Sequence, residues 1–502
     1  MTSHTLDTAA PVILDGRDMS VADVVRLAEG RHTATASADA LKRVHRSWET
    51  ARALTAAGTL YGRSTGVGAN RSIIVEAGDE GLADAGGDSH GMRLLRSHAG
   101  AIGAPLPAPQ VRAMLAVRLN QILAGGAGVK PAIAAALEAA LASGATPLVH
   151  EYGAVGTGDL GALAQTGLAL AGEHPWEGGR APAPIVLDTN DALALISSNA
   201  MTLGQAALAL DRLRTLLRAA QTVAALGLHA VDGSLEAYAH PVHEARPHEG
   251  TVAAAAEIRR LLDVQGPGPS GAPGAARIRI QDPFAFRCLP QVHGPALDSA
   301  DALERVLAVD LNAAAENPLI REDTHTAWHH GNFFAGHLAL ALDQFRLAVL
   351  QVAQLSTARL GALTEPSMTG LQPFLGDASA PGSSGVMILE YAAAAALAEL
   401  RTAAAPVTLG HTSLSRGVEE QSSFASQAAR LALRASESLR QVLACELVTA
   451  VRALRQRKSV PDGPAGEAFE AAARVLDPRM ADRPLTADVA VAGGLMERLA
   501  AV

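Results

Sequence analysis

Residues 335–360 read AGHLALALDQFRLAVLQVAQLSTARL, an Ala- and Leu-rich stretch with one glycine near its start and no proline. It is longer than an ordinary globular helix and too apolar for a solvated rod, so it predicts a helix buried among others. Residues 192–228, 300–315, 386–405 and 419–454 repeat that texture. Ala and Leu both favour helix, and such stretches pack as a bundle whose ends carry polar loops. Before residue 190 the texture differs. Short strand-like segments at 73–75 and 184–187 alternate there with helical stretches at 111–123 and 133–142, broken by glycines. The expected fold class is mainly α: a long-helix bundle over residues 191–502 and a smaller mixed N-terminal part over residues 1–190. Residues 265–276 are rich in Pro and Gly and are expected to form a mobile loop.

Composition narrows the function classes. A chain of 502 residues, 49% hydrophobic, can bury a large core. Aromatics at 3% leave a β-sandwich or a base-stacking surface poorly supplied. The net charge of −9 carries no basic block, which argues against nucleic acid or an anionic membrane as partner. Cys288 and Cys445 lie far apart, so neither a disulfide framework nor a cysteine metal site is expected. Residues 1–11 include Asp7 and lack the apolar core of a signal peptide. No apolar run is long and charge-free enough to predict a membrane span, and a soluble, cytoplasmic protein is expected. His240, His243 and His248 share one segment and His329-His330 are adjacent, but with no cysteine nearby no metal site is expected. A GxGxxG fingerprint in a strand–turn–helix setting is absent, so a nicotinamide enzyme is unsupported.

Chemistry concentrates in Gly153-Ala154-Val155-Gly156-Thr157-Gly158-Asp159-Leu160. One hydroxyl residue stands between two glycines, and neither flank has a side chain to stop the Gly158 nitrogen folding back onto the Gly156 carbonyl carbon. Ring closure with loss of water from Thr157 gives an electron-poor imidazolone, an electrophile made without an imported cofactor. Read alone, the stretch is equally a flexible loop. Four further polar clusters interrupt the apolar texture: Tyr61-Gly62-Arg63-Ser64-Thr65-Gly66-Val67-Gly68, Gln281-Asp282-Pro283-Phe284-Ala285-Phe286-Arg287-Cys288, Glu316-Asn317-Pro318-Leu319 with His330-Gly331-Asn332-Phe333, and Val418-Glu419-Glu420-Gln421.

In that order and at those separations the clusters resemble the histidine and aromatic amino acid ammonia-lyase family, over residues 55–425. The family's G-S-V-G-A-S-G-D-L appears as G-A-V-G-T-G-D-L, and its Y-G-x-N-T-G-F-G as residues 61–68. Its Q-D-x-Y-S-L-R-C-x-P-Q-V-x-G matches residues 281–294, its N-P-L and G-G-N-F-H match 317–319 and 330–334, and its R-P-H-P-G matches 246–250. The resemblance implies the long-helix fold of the ammonia-lyase/fumarase type, a homotetramer, and a self-made imidazolone from Gly156, Thr157 and Gly158. It implies Tyr61 as the base that takes a β-proton and Arg287 as the bidentate grip on the substrate carboxylate. Ser97, His98, Ser197, Gln281, Phe333 and Glu419 are implied in substrate binding. Ser97-His98 and Glu419 match members acting on histidine, because both histidine and carboxylate can hold an imidazole.

Three departures fall on chemically important positions. Thr157 replaces the family's serine in a turn one residue shorter, so dehydration would add a methyl at the carbon to be attacked. Phe284 lacks the hydroxyl of the usual tyrosine. Ser197 takes the place of an asparagine, and Asn199, two residues on, would face away if the segment were helical. The expected activity is elimination of ammonia from histidine or a related aromatic amino acid. Alternatives are an aromatic amino acid lyase or 2,3-aminomutase on a tyrosine-like substrate, and a catalytically silent paralogue that binds amino acids or acts as a scaffold.

Overall fold

The computed structural model describes residues 10–75, 89–187, 190–264 and 279–502; the loop expected at 265–276 lies outside them. The architecture is mainly α. Long helices run over Ala200–Ala230, Leu289–Asp310, Gly336–Thr364 and Ala425–Arg457, with a shorter one at Met387–Ala403. Sheet is confined to four two-stranded pairs among the described residues.

Two compact units draw on alternating parts of the chain. Unit 1 comprises Met1–Asp211, Glu304–Leu342 and Pro406–Arg430; unit 2 comprises Arg212–Leu303, Asp343–Ala405 and Leu431–Val502. The textural change near residue 190 is thus one of helix length, while the compact units follow a different partition.

In unit 1 the helix Ala108–Leu123 is buried on every face, including the polar Arg118, Asn120 and Gln121. Buried polar groups need partners, and Arg118 has three: the Leu195 carbonyl at 3.0 Å, the Ala194 carbonyl at 2.6 Å and Glu316 Oε1 at 2.6 Å. The two carbonyls close the short helix Asp191–Ile196. The helix expected over 192–228 is therefore broken: residues 197–199 are non-helical, and a new helix starts at Ala200. Of the expected short strands, 73–75 forms only an isolated bridge between Ile74 and Thr65, and 184–187 is irregular. Ile73 and Ile74 are 60% and 68% exposed, so no hydrophobic face drives pairing there.

In unit 2 the bidentate pair Arg359–Glu446 is fully buried, with Arg359 Nε to Oε1 at 2.6 Å and Nη2 to Oε2 at 2.9 Å. Two helical stretches, Asp191–Ala230 and Gly336–Thr364, do reach bilayer length and apolarity, against the expectation from sequence. The most apolar window of the first is entirely buried within the protein, as in a core helix.

Candidate active site

The tyrosine loop is folded by its own backbone and hydroxyls. The Leu60 carbonyl accepts from the amides of Arg63 and Ser64, and the Gly62 N–H donates to Thr65 Oγ1 at 3.1 Å. Tyr61 Oη accepts the Gly68 N–H at 2.9 Å. Gly68 has φ +53°, and a Cβ there would lie 2.4 Å from Ser415 Oγ and 3.3 Å from Glu419 Oε1. Only glycine fits, and the Tyr61 hydroxyl and the Glu419 carboxylate flank the same residue. Glu419 itself sits in a hairpin paired with Leu414, not at a helix start, since the helix begins at Ala425. Ser415 Oγ ties that hairpin to the tyrosine loop by accepting the Ala69 N–H at 2.9 Å. The Tyr61 ring stands edge-on to His329, with centroids 6.3 Å apart.

The glycine turn is clamped from three sides. The Gly156 carbonyl accepts from Ser423 Oγ at 2.7 Å and from the Ala335 N–H at 3.3 Å. The Gly158 N–H donates to Asn199 Oδ1 at 3.0 Å, and Asn199 Nδ2 donates to the Phe333 carbonyl at 2.6 Å. Phe424 N–H donates to the Val155 carbonyl at 2.8 Å, and Gln427 Nε2 to that of Ala154 at 2.9 Å. Gly156 has φ +86°, and a Cβ would meet Ser423 Oγ at 2.1 Å, so the alanine usual in the family cannot be accommodated. Phe424, on the clamping loop, is held at φ +56°, a sparsely populated conformation for a bulky residue.

Asp159 follows the turn, buried, and accepts from Thr202 N at 2.8 Å and Thr202 Oγ1 at 2.7 Å in the first turn of Ala200–Ala230. Burial pushes its carboxyl up to about 6, against the lowering effect of those hydrogen bonds. Thr157 is half-buried.

Ser97 and His98 end the helix His90–His98. His98 Nδ1 lies 2.9 Å from the Leu94 carbonyl, which can only accept, so in the neutral ring this contact puts the proton on Nδ1 and leaves Nε2 an acceptor. Ser97 Oγ donates to the same carbonyl at 2.9 Å. Ser197 is buried and accepts the Asn317 N–H at 3.3 Å, while Asn317 Oδ1 accepts the His330 N–H at 3.0 Å. The segment 329–335 therefore touches the tyrosine ring, Asn317, Asn199 and the Gly156 carbonyl in turn; Phe333 takes part through its backbone.

Arg287 and Gln281 belong to unit 2. Gln281 is exposed, and Arg287 ends the four-residue helix Phe284–Arg287. Its Nε donates to the Asp282 carbonyl at 3.1 Å, and its guanidinium lies 4.2 Å from the centre of the Phe284 ring. The helix is anchored from below: Tyr238 Oη donates to the Phe286 carbonyl at 2.6 Å and Arg359 Nη1 to that of Ala285 at 3.4 Å. His293 is buried with neither ring nitrogen bonded, and burial lowers it to about 3.

Sequence reasoning missed Asn199 and Ser423. Asn199 was set aside on helix geometry, but residues 197–199 form the break between two helices, so the facing argument does not apply there. Ser423, within Ser422-Ser423-Phe424, had only a hydroxyl pair before a long helix as a signal. Among the described residues no group of three His, Cys, Asp or Glu is placed to hold a metal.

Comparison with known proteins shows the family. The family model for aromatic amino acid lyases matches residues 19–475. The chain is 36% identical to the histidine ammonia-lyase of Geobacillus kaustophilus over 458 residues, 88% of each chain. It is 32% identical to that of Geobacillus thermodenitrificans over 496 residues, 95% of each. Among solved structures, the ergothioneine-degrading ergothionase of Treponema denticola superposes with a TM-score of 0.88 at 25% identity, covering 98% of this chain and 99% of the other. The chain belongs to the aromatic amino acid lyase family, ammonia-lyases whose electrophile is self-made rather than imported, and is a carbon–nitrogen lyase.

Proposed function

We propose that the protein eliminates the α-nitrogen from an amino acid bearing an imidazole-type ring, histidine being the parent compound. The observation that carries this reading is that the Tyr61 hydroxyl and the Glu419 carboxylate flank the same residue, Gly68. Tyr61 Oη already accepts a backbone N–H, the polarity that a proton-taking oxygen needs. Glu419 and the acceptor nitrogen of His98 would hold ring N–H groups, and the planar fork of an arginine such as Arg287 suits a carboxylate. The named relatives favour the same ring. Histidine and ergothioneine share an imidazole-derived ring and differ at nitrogen, a primary amine in one and a trimethylammonium in the other.

The family's imidazolone would make a nitrogen or ring a better leaving partner, and the turn must be tested for it. Ring closure consumes the Gly156 oxygen and the Gly158 hydrogen. Those atoms now satisfy Ser423 Oγ, the Ala335 N–H and Asn199 Oδ1, all on buried residues. Stranding each buried group costs about 1–3 kcal/mol. Thr157 would further place a methyl on the electrophilic carbon. The residues present fit an open turn and do not fit the ring, so no step is derived through it.

A homotetramer and a cytoplasmic location are part of the same proposal. Ile388 and Tyr391, 58% and 66% exposed on one helix, together with Leu347, supply apolar surface for self-association. The cysteines are unpaired, as expected for a reducing compartment. The function is tested by incubating the protein with histidine, tyrosine and phenylalanine and their N-methylated forms, following the ultraviolet absorbance of the unsaturated acid. Reaction confined to tyrosine or phenylalanine forms would refute the imidazole reading, and a β-amino acid product would identify an aminomutase.

A further inference from the structure

We infer that Gly156-Thr157-Gly158 remains an unmodified peptide in the active enzyme, and that the site therefore acts on a quaternised α-nitrogen, an α-trialkylammonium carboxylate. The inference rests on the reading of Tyr61 as base, and decides the nitrogen that this reading leaves open.

The first support is the turn. Both atoms that ring closure must remove are held by side chains from elsewhere in unit 1, Ser423 and Asn199, and Asn199 is itself fixed by the Phe333 carbonyl. Gly156 is pressed so closely on residues 423–425 that a Cβ would lie within 3 Å of three of their atoms. The residue between the glycines is Thr157, whose dehydration would crowd the very carbon that needs to be attacked.

The second support is the chemistry left to a site with a base and no electrophile. On a primary ammonium the N–H protons are far more acidic than the β-C–H, so a base takes one of them and leaves an amine that cannot depart. A trialkylammonium has no N–H. Tyr61, as the phenolate, can then take the β-proton and become the phenol; the C–H electron pair becomes the C=C bond, and the C–N pair leaves with nitrogen as a neutral trialkylamine. The proton passes from Tyr61 to solvent, and no oxidant, reductant or co-reactant is required. A cation without hydrogen-bond donors is recognised by carboxylate and by aromatic faces. The Tyr61 ring, edge-on to His329, supplies aromatic surface beside the base.

The test uses the intact wild-type enzyme and two readouts. Whole-protein mass spectrometry is expected to return the unmodified mass. Turnover is expected for the trimethyl betaine of histidine, with release of trimethylamine, at a rate at least about a hundredfold above that for histidine itself, the ratio read as differential transition-state stabilisation. A mass lower by two waters overturns the inference and leaves the proposed function standing, as does faster turnover of histidine than of its betaine. Reaction of the tyrosine betaine but of neither imidazole compound removes the imidazole reading and supports this one. No turnover of any betaine overturns it.

Discussion

The glycine turn of unit 1 and the arginine turn of unit 2 solve the same problem by opposite means. Each presents a short segment, a glycine turn in one and a single helical turn in the other, that has too few hydrogen bonds of its own. Around Gly156 the solution is neutral: backbone atoms at positive φ meet Ser423, Asn199 and neighbouring amides. Below Arg287 it is ionic: the buried Arg359–Glu446 pair and the Tyr238 hydroxyl hold the carbonyls of Phe284–Arg287. Neutral contacts are individually modest and can be removed one at a time. Removing one member of a buried pair strands a charge.

That contrast predicts the largest effect at Glu446. Glu446→Gln leaves Arg359 buried and unpaired and should lower stability by about 3–5 kcal/mol, seen as a lower denaturant midpoint. An effect below about 1 kcal/mol would mean the pair is not what anchors the turn. In unit 1 the oxygen proposed to take the proton is that of Tyr61. Tyr61→Phe should reduce kcat by about a hundredfold or more with the circular dichroism spectrum unchanged, the loss typical of a general base.

Asp159 sharpens the comparison through pH. Its folded value of about 6 lies above the roughly 3.9 of an unfolded aspartate, so between those limits the native state holds more protons than the unfolded one. This contribution is complete below the unfolded value and is lost as pH rises toward the folded one, at most about 3 kcal/mol. Asp159→Asn should flatten stability against pH in that window; an unaltered slope would assign it elsewhere.

Smaller effects follow. Arg287→Lys should raise KM by about thirtyfold with kcat little changed, because a point charge replaces a fork, roughly 2 kcal/mol. A kcat effect instead would place Arg287 in the chemical step. Ser423→Ala should cost only about 1–2 kcal/mol of stability, since the Gly156 carbonyl keeps the Ala335 amide as a donor. If Ser423→Ala proves as damaging as Glu446→Gln, the distinction between the two turns fails.

Much of the site was legible because its residue types are chemically scarce in an Ala/Leu background. Tyr61 among glycines, the Gly156-Thr157-Gly158 turn, Arg287 and Glu419 each interrupt that texture. Glu419 is expected at a helix start and lies instead in the Leu414–Glu419 hairpin. Residues 419–424 are non-helical: Glu419 bridges to Leu414, and Phe424, at positive φ, donates to the Val155 carbonyl, so the helix starts at Ala425. Asn199 was misjudged for the same kind of reason: nothing local in residues 192–228 announces that Arg118 will close a helix at Ile196.

Sequence alone determined the helical class, the long buried helices and the ordered motifs, since these depend on composition and on residue identity along the chain. Tertiary structure alone decided where helices stop, that the Tyr61 hydroxyl and the Glu419 carboxylate flank the same glycine, and that the backbone atoms of the glycine turn are already engaged. Those outcomes depend on partners 41 to 267 residues away, such as Asn199 for Gly158 and Ser423 for Gly156. Hydrogen-bond satisfaction of a buried backbone group is a property of its surroundings in space, and no local pattern encodes it.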